Sequence, residues 1–311
     1  MKILKDKCIP KSKTTVLPID DLLKKTFKKL AKLKKTKSGI TGIPTGFAQL
    51  DKMTSGMQNG ELLVLASRPS VGKTALATDI AINAWREGYS FMFFSLGMSS
   101  EQLVLRMLSS QSKIPHKKIR NCTVTNDEWG TLTDVSAALA EASVLSGFTP
   151  CITIDDSDVL NVIDIRLKVK KLISKKKADF IVIDCLQFLS SPEEHENRTI
   201  EVSYISRSLR NLAKELNIPI LAVSQLSRTL ETRSDKTPLL HDLSGSGSIE
   251  NDADIVLFLY RDFIYNRNTD QPDLAEIIVG KNRNGPTGIV YARFCGDIVT
   301  FEDIDIEYGD E

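Results

Sequence analysis

The 311-residue sequence lacks the usual marks of membrane, disulfide-bonded and zinc-binding proteins. No apolar run approaches the roughly 18 residues that a membrane span requires, and residues 1–15 lack the apolar core of a signal peptide. The five cysteines lie far apart without a C-x-x-C pair, and the three histidines have no spacing typical of metal ligands. We therefore expect a globular protein of a reducing, cytoplasmic compartment, with no membrane partner.

The net charge of +1 hides an uneven distribution. Residues 1–37 contain 13 lysines and 3 aspartates, so this segment carries +10 and the remainder carries −9. Within the basic segment, Asp20 and Asp21 precede apolar residues at the spacing of a short amphipathic helix. That helix has too little apolar surface to stand alone, and we expect it to dock on another surface. A frayed tail and a membrane-surface helix are the alternatives.

A strand, a tight loop and a helix follow one another around Gly72-Lys73-Thr74. Residues 62–66 form an apolar run typical of a buried parallel strand, and apolar residues at helical spacing follow the loop. Loop N–H groups and the helix dipole would face a phosphate, Lys73 would add a positive charge, and the Thr74 hydroxyl could ligate Mg²⁺. An ordinary strand-to-helix turn is the alternative, because Ser67 stands where the usual pattern has glycine. The predicted nucleotide-binding loop comprises Ser67, Arg68, Pro69, Ser70, Val71, Gly72, Lys73 and Thr74.

Strand and helix signals alternate from Gly60 onward, and the last third of the chain is rich in strands. This order predicts an α/β fold with a mostly parallel central sheet, helices on both faces and an antiparallel C-terminal extension. Further strands are predicted at 91–96, 152–154, 180–184, 218–223, 255–260, 276–279, 289–294 and 299–302. Helices are predicted at 99–111 with a capping box, at 126–145, at 199–216 and in a segment that ends in 175–177. Residues 38–39 and 41–42 are predicted to link the basic segment to this domain.

Polar residues at strand ends are the candidates for chemistry. Asp184 ends an apolar strand, where a phosphate-loop enzyme needs a carboxylate for Mg²⁺, although many such residues only end a strand. Gln225 follows another strand and could sense a γ-phosphate or orient water. Lys281 and Arg283 flank a turn and could neutralise charge on a phosphoryl group of their own or a neighbouring subunit. Residues 241–247 indicate a flexible loop.

These stretches together resemble the motor domain of the DnaB-type replicative DNA helicases, a RecA-like family. The resemblance follows family order over residues 18–303. It is carried by GIPTGF (42–47), ASRPSVGKT (66–74), SLGMS (95–99), IVIDCLQ (181–187), SQLSR (224–228), SGSIE (246–250), DAD (252–254) and KNRNGP (281–286). The family's phosphate loop generally lacks the first glycine, which accounts for Ser67.

The resemblance implies a RecA-like phosphate-loop fold that assembles as a ring, usually of six, with ATP bound between neighbouring subunits. Lys73 would hold the phosphates, Thr74 and Asp184 the Mg²⁺, and Gln225 would sense the γ-phosphate. Lys281 and Arg283 would act in trans as finger cations. Residues 1–37 would be a basic flexible arm with the family's linker helix, which docks on the adjacent subunit. Residues 38–311 would be the ATPase and helicase domain, moving 5′ to 3′ on single-stranded DNA.

Three departures from the family pattern bear on activity. The family's amino-terminal helical domain, which engages primase, has no counterpart in this sequence. Gly97 stands at the position of the family's catalytic glutamate, and a general base supplies on the order of 10²- to 10⁴-fold in rate. We therefore expect attenuated hydrolysis, unless Glu101 or Asp156 replaces the base. The DNA-gripping loop, predicted to include Ser244, Gly245 and Gly247, has Ser244-Gly245 in place of the family's Arg-Glu.

Two functions from different classes remain open at this point. The first is an ATP-dependent helicase motor that translocates on single-stranded DNA with Mg²⁺ and ATP as cofactors. The second is a non-catalytic ATP-binding ring protein, or a loader-like partner that assembles on DNA or on an active helicase. A RecA-like recombination or clock ATPase shares the core but lacks the strings quoted above. The expected partners are single-stranded DNA and further copies of this chain, and a helicase loader is a further candidate.

Overall fold

The computed structural model describes residues 18–33, 39–141, 150–158, 160–175, 178–243 and 247–304. The chain divides into two compact units, Met1–Gly39 and Ile40–Glu311. In the first unit, α1 (Ile19–Leu33) forms over the predicted amphipathic segment, with its two aspartates in the first turn, where the helix dipole favours negative charge. Five apolar side chains of α1 are exposed: Ile19, Leu22, Leu23, Phe27 and Leu30. The rest of the predicted basic arm lies outside the described residues.

The second unit contains alternating strands and helices followed by strands. The first half comprises α2 (Ala48–Thr54), β1 (Leu62–Ser67), α3 (Lys73–Arg86), β2 (Phe91–Ser95), α4 (Ser100–Ser112), α5 (His116–Arg120), α6 (Asn126–Glu141), β3 (Ile152–Asp155) and α7 (Val162–Ile173). The second half comprises β4 (Phe180–Asp184), α8 (Arg198–Leu216), β5 (Ile220–Gln225), α9 (Gly247–Asp252), β6 (Ile255–Tyr260), β7 (Leu274–Asn282), β8 (Gly288–Cys295) and β9 (Thr300–Asp303).

All nine strands form one sheet in the order β3-β2-β4-β5-β1-β6-β7-β8-β9. Strands β1 to β6 pair in parallel, whereas β7, β8 and β9 are added in antiparallel pairs. The predicted fold class is therefore confirmed. Because the parallel strands all point the same way, their carboxyl ends lie along one edge of the sheet, which we call the carboxyl edge, and their amino ends along the amino edge.

Side chains alternate between the two faces of the sheet, and each face has its own core. In β1, Leu63 and Leu65 pack with residues of α3 such as Leu76, whereas Leu62 and Val64 join the core that includes α7 and α8. All six residues of β1 are buried, as expected of a parallel strand that is covered on both faces. The two cores place the sheet between helices and hold its carboxyl edge rigid.

Several predicted boundaries shift for local reasons. The strand predicted from 218 begins at Ile220, because Pro219 has no N–H to donate to the ladder. The helix predicted to end at 175–177 ends at Ile173, and α6 is described to Glu141, since 142–149 lie outside the described residues. Gly42, predicted as linker, donates its N–H to the Ser55 carbonyl and belongs to the second unit. In the described ranges no helix is long and apolar enough to cross a bilayer.

Candidate nucleotide-binding site

The predicted phosphate loop connects β1 to α3 at the carboxyl edge. Ser67 is the last residue of β1 and is fully buried, so its position is that of a strand residue rather than of a loop glycine. Ser70 takes a left-handed φ of 67°, and Gly72, at φ 118°, caps α3. Glycine is required there, since a Cβ would lie 2.8 Å from the ring of Phe301. The turn makes Lys73 the first residue of α3, where helix N–H groups lack intrahelical partners.

Three charged or polar groups converge next to this loop. The Thr74 hydroxyl donates to Oδ2 of Asp184 over 2.5 Å, although the two residues are 110 positions apart. Burial raises the pKa of Asp184, while the Thr74 bond and the charges of Lys73 and Arg106 oppose that rise. Burial likewise lowers the pKa of Lys73, and the charge of Asp184 opposes that fall. Desolvation thus disfavours the ionised forms of both Asp184 and Lys73. Ligand charges of opposite sign next to each side chain would stabilise these ionised forms.

Thr74 and Asp184 provide two oxygens, which suits Mg²⁺ shared with a phosphate better than a metal ion whose ligands all come from the protein. Among the described residues, no cluster of three His, Cys, Asp or Glu side chains forms a metal cage. Mg²⁺ is commonly held by one carboxylate with phosphate oxygens and water, and a hydroxyl and a carboxylate that already touch provide two adjacent oxygens. A phosphate on the α3 N-terminus would supply the remaining oxygens.

Gln225 ends β5 and lies beside the last residue of β1 in the sheet register, opposite Ser67. The Gln225 N–H donates to Oε1 of Gln187 (3.1 Å), and the Gln187 amide donates to the Ser224 hydroxyl (2.9 Å). Gln187 follows β4 and therefore fixes the backbone at the ends of β4 and β5 relative to each other. The predicted sensor glutamine is thus positioned by a second glutamine, which the sequence-based prediction did not single out.

Gly97 follows β2 at the same edge, and it brings no carboxylate there. The backbone is tied to β4, because Leu96 donates its N–H to the Asp184 carbonyl over 2.7 Å. A Cβ at Gly97 would lie 2.9 Å from Cε2 of Phe188, a ring that is half exposed. Residue 97 therefore follows directly on Leu96, whose N–H binds the backbone of the metal-ligand candidate Asp184.

The two alternative carboxylates have other surroundings. Oδ2 of Asp156 accepts the Ser100 N–H at 2.7 Å, and this bond lowers the pKa of Asp156, which makes it a weaker base. Glu101 is exposed in the first turn of α4, where its negative charge interacts favourably with the helix dipole. Both residues thus have a structural role at the start of α4.

Arg68 and Pro69 belong to the predicted loop, but the Arg68 side chain turns away from a phosphate role. Its Nε and Nη2 donate to Oε1 of Glu231 at 2.8 and 2.6 Å, and its Nη1 donates to the Leu226 carbonyl at 2.8 Å. Pro69 is exposed at the turn. Arg68 therefore ties the loop to the segment after β5, and its charge contributes to the lowered pKa of Lys73.

The two candidate finger cations lie at the other end of the sheet. Lys281 and Asn282 pair with Val256 and Ile255 at the start of β6, and β6 runs parallel to β1. Because the six residues of β1 are separated by five steps of about 3.3 Å each, the amino edge and the carboxyl edge are roughly 17 Å apart. Lys281 and Arg283 are thus too far from Lys73 of the same chain to reach a phosphate held there.

The sequence of the chain is similar to those of known helicases over most of its length. A family profile described as the DnaB-like helicase C terminal domain matches residues 42–303. The chain belongs to this family. It is 44% identical over 294 residues to the replicative DNA helicase DnaB of Geobacillus stearothermophilus, and 42% identical over 294 residues to the replicative DNA helicase DnaC of Bacillus subtilis (strain 168). These alignments cover 94% of this chain but 63% of either relative.

Solved structures support the same family. A DnaB-like replicative helicase, described with its interactions with primase, superposes with a TM-score of 0.82 at 32% identity, covering 94% of this chain and 68% of that one. A separate structure of an isolated ATPase domain superposes with a TM-score of 0.86 at 32% identity, covering 94% of this chain and 100% of that one. The resemblance inferred from the motifs is therefore confirmed.

The residues predicted to contact DNA in the DnaB-like fold are only partly described. Ser244 and Gly245 lie outside the described residues. Gly247 is the first residue of α9, whose Ile249 is fully buried. Their assignment to DNA stays a prediction.

Two arginines next to the site were missed by sequence reasoning. Arg106, on α4, is close enough to Asp184 for the carboxylate charge to act on its pKa, which burial lowers. Arg261 is 6% exposed, donates to the Val71 carbonyl of the phosphate loop (3.4 Å), and stacks on Phe294 at 3.8 Å from Cζ to the ring centroid. Only the Arg-Asp pair at 261–262, directly after a buried strand, could have suggested the second.

Proposed function

We propose that this chain is an ATP-dependent replicative helicase motor that translocates 5′ to 3′ along single-stranded DNA as a ring, usually of six copies. The convergence of Lys73, Thr74 and Asp184 at the carboxyl edge carries the proposal. Lys73 would bind the β- and γ-phosphates of ATP, and Thr74 and Asp184 would hold Mg²⁺, which neutralises charge that develops on the phosphoryl group. Gln225 would sense the γ-phosphate or orient the attacking water.

Completion of the site by a neighbour is part of the proposal. Lys281 and Arg283 lie at the amino edge, so in a ring they would reach the phosphates that the adjacent subunit binds at its carboxyl edge. The exposed apolar side chains of α1 support assembly, since an amphipathic helix with Phe27 two-thirds exposed gains by docking on another copy. The relatives named replicative DNA helicases, and the neighbour described with primase, support DNA and replication proteins as partners.

Hydrolysis would be slow in this chain as written. Gly97 offers no base to the attacking water, and neither Glu101 nor Asp156 is free of a role at the start of α4. This observation favours a second candidate function, a non-catalytic ATP-binding ring protein that associates with DNA or with an active helicase. The two candidates share nucleotide binding and differ in whether ATP turnover separates strands.

Strand displacement on a forked duplex, measured beside ATP binding, tests the proposal. The full chain should bind Mg·ATP and release the strand of a fork that has a 5′ single-stranded tail, whereas Lys73→Ala should bind Mg·ATP more weakly and release no strand. ATP binding without displacement at any protein concentration would support the non-catalytic candidate. Absence of ATP binding in the unmodified chain would contradict both.

A further inference from the structure

The two candidate finger cations are bound to the end of one short helix. The Lys281 ammonium donates to the Glu250 carbonyl (2.5 Å), and Nη2 of Arg283 donates to the Asn251 carbonyl (2.6 Å). Both acceptors belong to the last turn of α9, where helix carbonyls lack intrahelical partners and the dipole favours positive charge. The end of α9 therefore holds the charged ends of both side chains.

Arg210, on α8, binds the same helix end. Its Nη1 donates to the carbonyls of Asn251 (3.2 Å) and Asp252 (3.1 Å), and its Nη2 lies 3.6 Å from Oδ1 of Asp254. The Arg210 side chain is 18% exposed, and its acceptors come from both the last turn of α9 and the residue before β6. A planar guanidinium suits this bridging role, whereas an ammonium could not span all three acceptors.

Arg210 and Arg283 share two acceptors. The Asn251 carbonyl accepts from both, and Oδ1 of Asp254 lies 3.4 Å from Nε of Arg283 as well as near Arg210. Asp254 is in turn fixed to the sheet, because its Oδ2 accepts the Leu62 N–H at 3.0 Å. The Arg283 side chain is 39% exposed, so one side of it faces outward while Asn251 and Asp254 hold the other.

We propose that Arg210 is a positioning residue for the finger cations: it holds the last turn of α9 and Asp254 where Arg283 and Lys281 can reach a neighbouring subunit's phosphates. This inference rests on the proposed trans role of Arg283. Arg210 itself has its donors on α9 and Asp254 and need not touch the nucleotide. Its removal would lower the affinity that Arg283 contributes, and nothing beyond that contribution.

A double-mutant cycle on the full chain tests the inference, with the affinity for a non-hydrolysable Mg·ATP analogue as the readout. At protein concentrations where the chain assembles, Arg283→Ala should weaken binding about tenfold or more, as for a lost charge-assisted hydrogen bond. Arg210→Gln should weaken it about three- to tenfold, as for residues coupled through shared partners. The double variant should bind no more weakly than Arg283→Ala alone. Arg210→Lys, which keeps the charge without the fork, provides a second variant should Arg210→Gln fail to fold.

Arg166→Gln is the matched control, since Arg166 of α7 pairs with Glu215 of α8 and its removal leaves α9 untouched. It should bind the analogue as the unmodified chain does. Multiplication of the two single losses in the double variant would overturn the inference, because it would show independent, merely structural effects. Unchanged affinity in both Arg210 variants would overturn it as well. Unchanged affinity in Arg283→Ala would refute the proposed finger role, and the inference with it.

Discussion

The two edges of the sheet differ in the partners that their charged side chains have. At the carboxyl edge, burial lowers the pKa of Lys73 and raises the pKa of Asp184, so it favours the neutral form of each side chain. At the amino edge, burial also lowers the pKa of Lys281, but the Lys281 ammonium is bound to a helix-end carbonyl, and Arg283 is bound to a helix-end carbonyl and to Asp254. The first region would gain from the added charges of a bound ligand, and the second is a set of cations whose partners lie within its own chain.

This difference fits a motor whose site is divided between subunits. A phosphate with Mg²⁺ would restore the charge balance of the carboxyl edge within one chain, so we expect a single chain to bind nucleotide and a neighbour to increase the affinity. The amino-edge cations already have partners, and they can be presented to a neighbour without exposing an uncompensated charge when the chain is alone. Experiments that remove one region at a time should therefore separate binding within a subunit from completion between subunits.

The largest effect is expected at the carboxyl edge, from Gly97→Glu. A general base placed beside Asp184 should raise the steady-state ATPase rate by roughly 10²- to 10⁴-fold, or about 3–5 kcal/mol of barrier. The added side chain must displace the ring of Phe188, which can rotate because it is half exposed. Gly97→Gln is the control, since it displaces the same ring without supplying a base. Equal rates in the Glu and Gln variants would show that the missing carboxylate does not limit hydrolysis.

The next largest effect separates the two edges by protein concentration. Lys73→Ala should weaken binding of a Mg·ATP analogue by roughly 10- to 150-fold at every protein concentration, as for a lost bond to a charged group of about 1.5–3 kcal/mol. Arg283→Ala should leave affinity unchanged in dilute, unassembled protein and weaken it only where copies associate. Fluorescence titration at several protein concentrations, with sizing of each sample, measures both.

Removal of residues 1–37 provides the control for this prediction. Without α1 the chain should form smaller assemblies or none. In this truncated background, the proteins with Arg283 and with Arg283→Ala should bind the analogue equally. An Arg283→Ala loss that persists in protein shown to be monomeric would contradict a role in trans. The same number of copies per assembly with and without residues 1–37 would contradict assembly through that segment.

Much of the carboxyl edge was predictable, because parallel strands bring their ends together whatever lies between them. An apolar strand that ends in Asp184, together with the phosphate-loop pattern, predicts that Asp184 lies near Lys73. In the structure, Thr74, the residue after Lys73, donates a hydrogen bond to Asp184. The amino edge was harder, since α9 has six residues and too few turns for a periodic signal. Arg210 looks like an ordinary arginine of a long helix until the packing of α8 on α9 places it at the helix end.

The smallest effect on ATP binding and turnover is expected at Asp79 of α3, where the prediction concerns the stability of the fold. This carboxyl is buried between Thr300, Phe301 and Ser110, and desolvation raises its pKa to about 7. The folded state therefore holds a proton that the unfolded chain, with an ordinary aspartate pKa of about 4, has released. The stability due to this proton is complete below about pH 4 and is lost as pH rises through about 7.

The free energy of unfolding in urea, measured between about pH 4 and about pH 8, should show this loss in the unmodified chain relative to Asp79→Asn. One proton limits the difference in slope to about 1.4 kcal/mol per pH unit. Thr300→Val, which removes a donor to Asp79 but keeps the carboxyl, should lower stability and retain the pH dependence. Parallel pH profiles for the unmodified chain and Asp79→Asn would mean that Asp79 stays ionised in the folded protein. The charge compensation that distinguishes the amino edge would then extend to the helix that carries the phosphate loop.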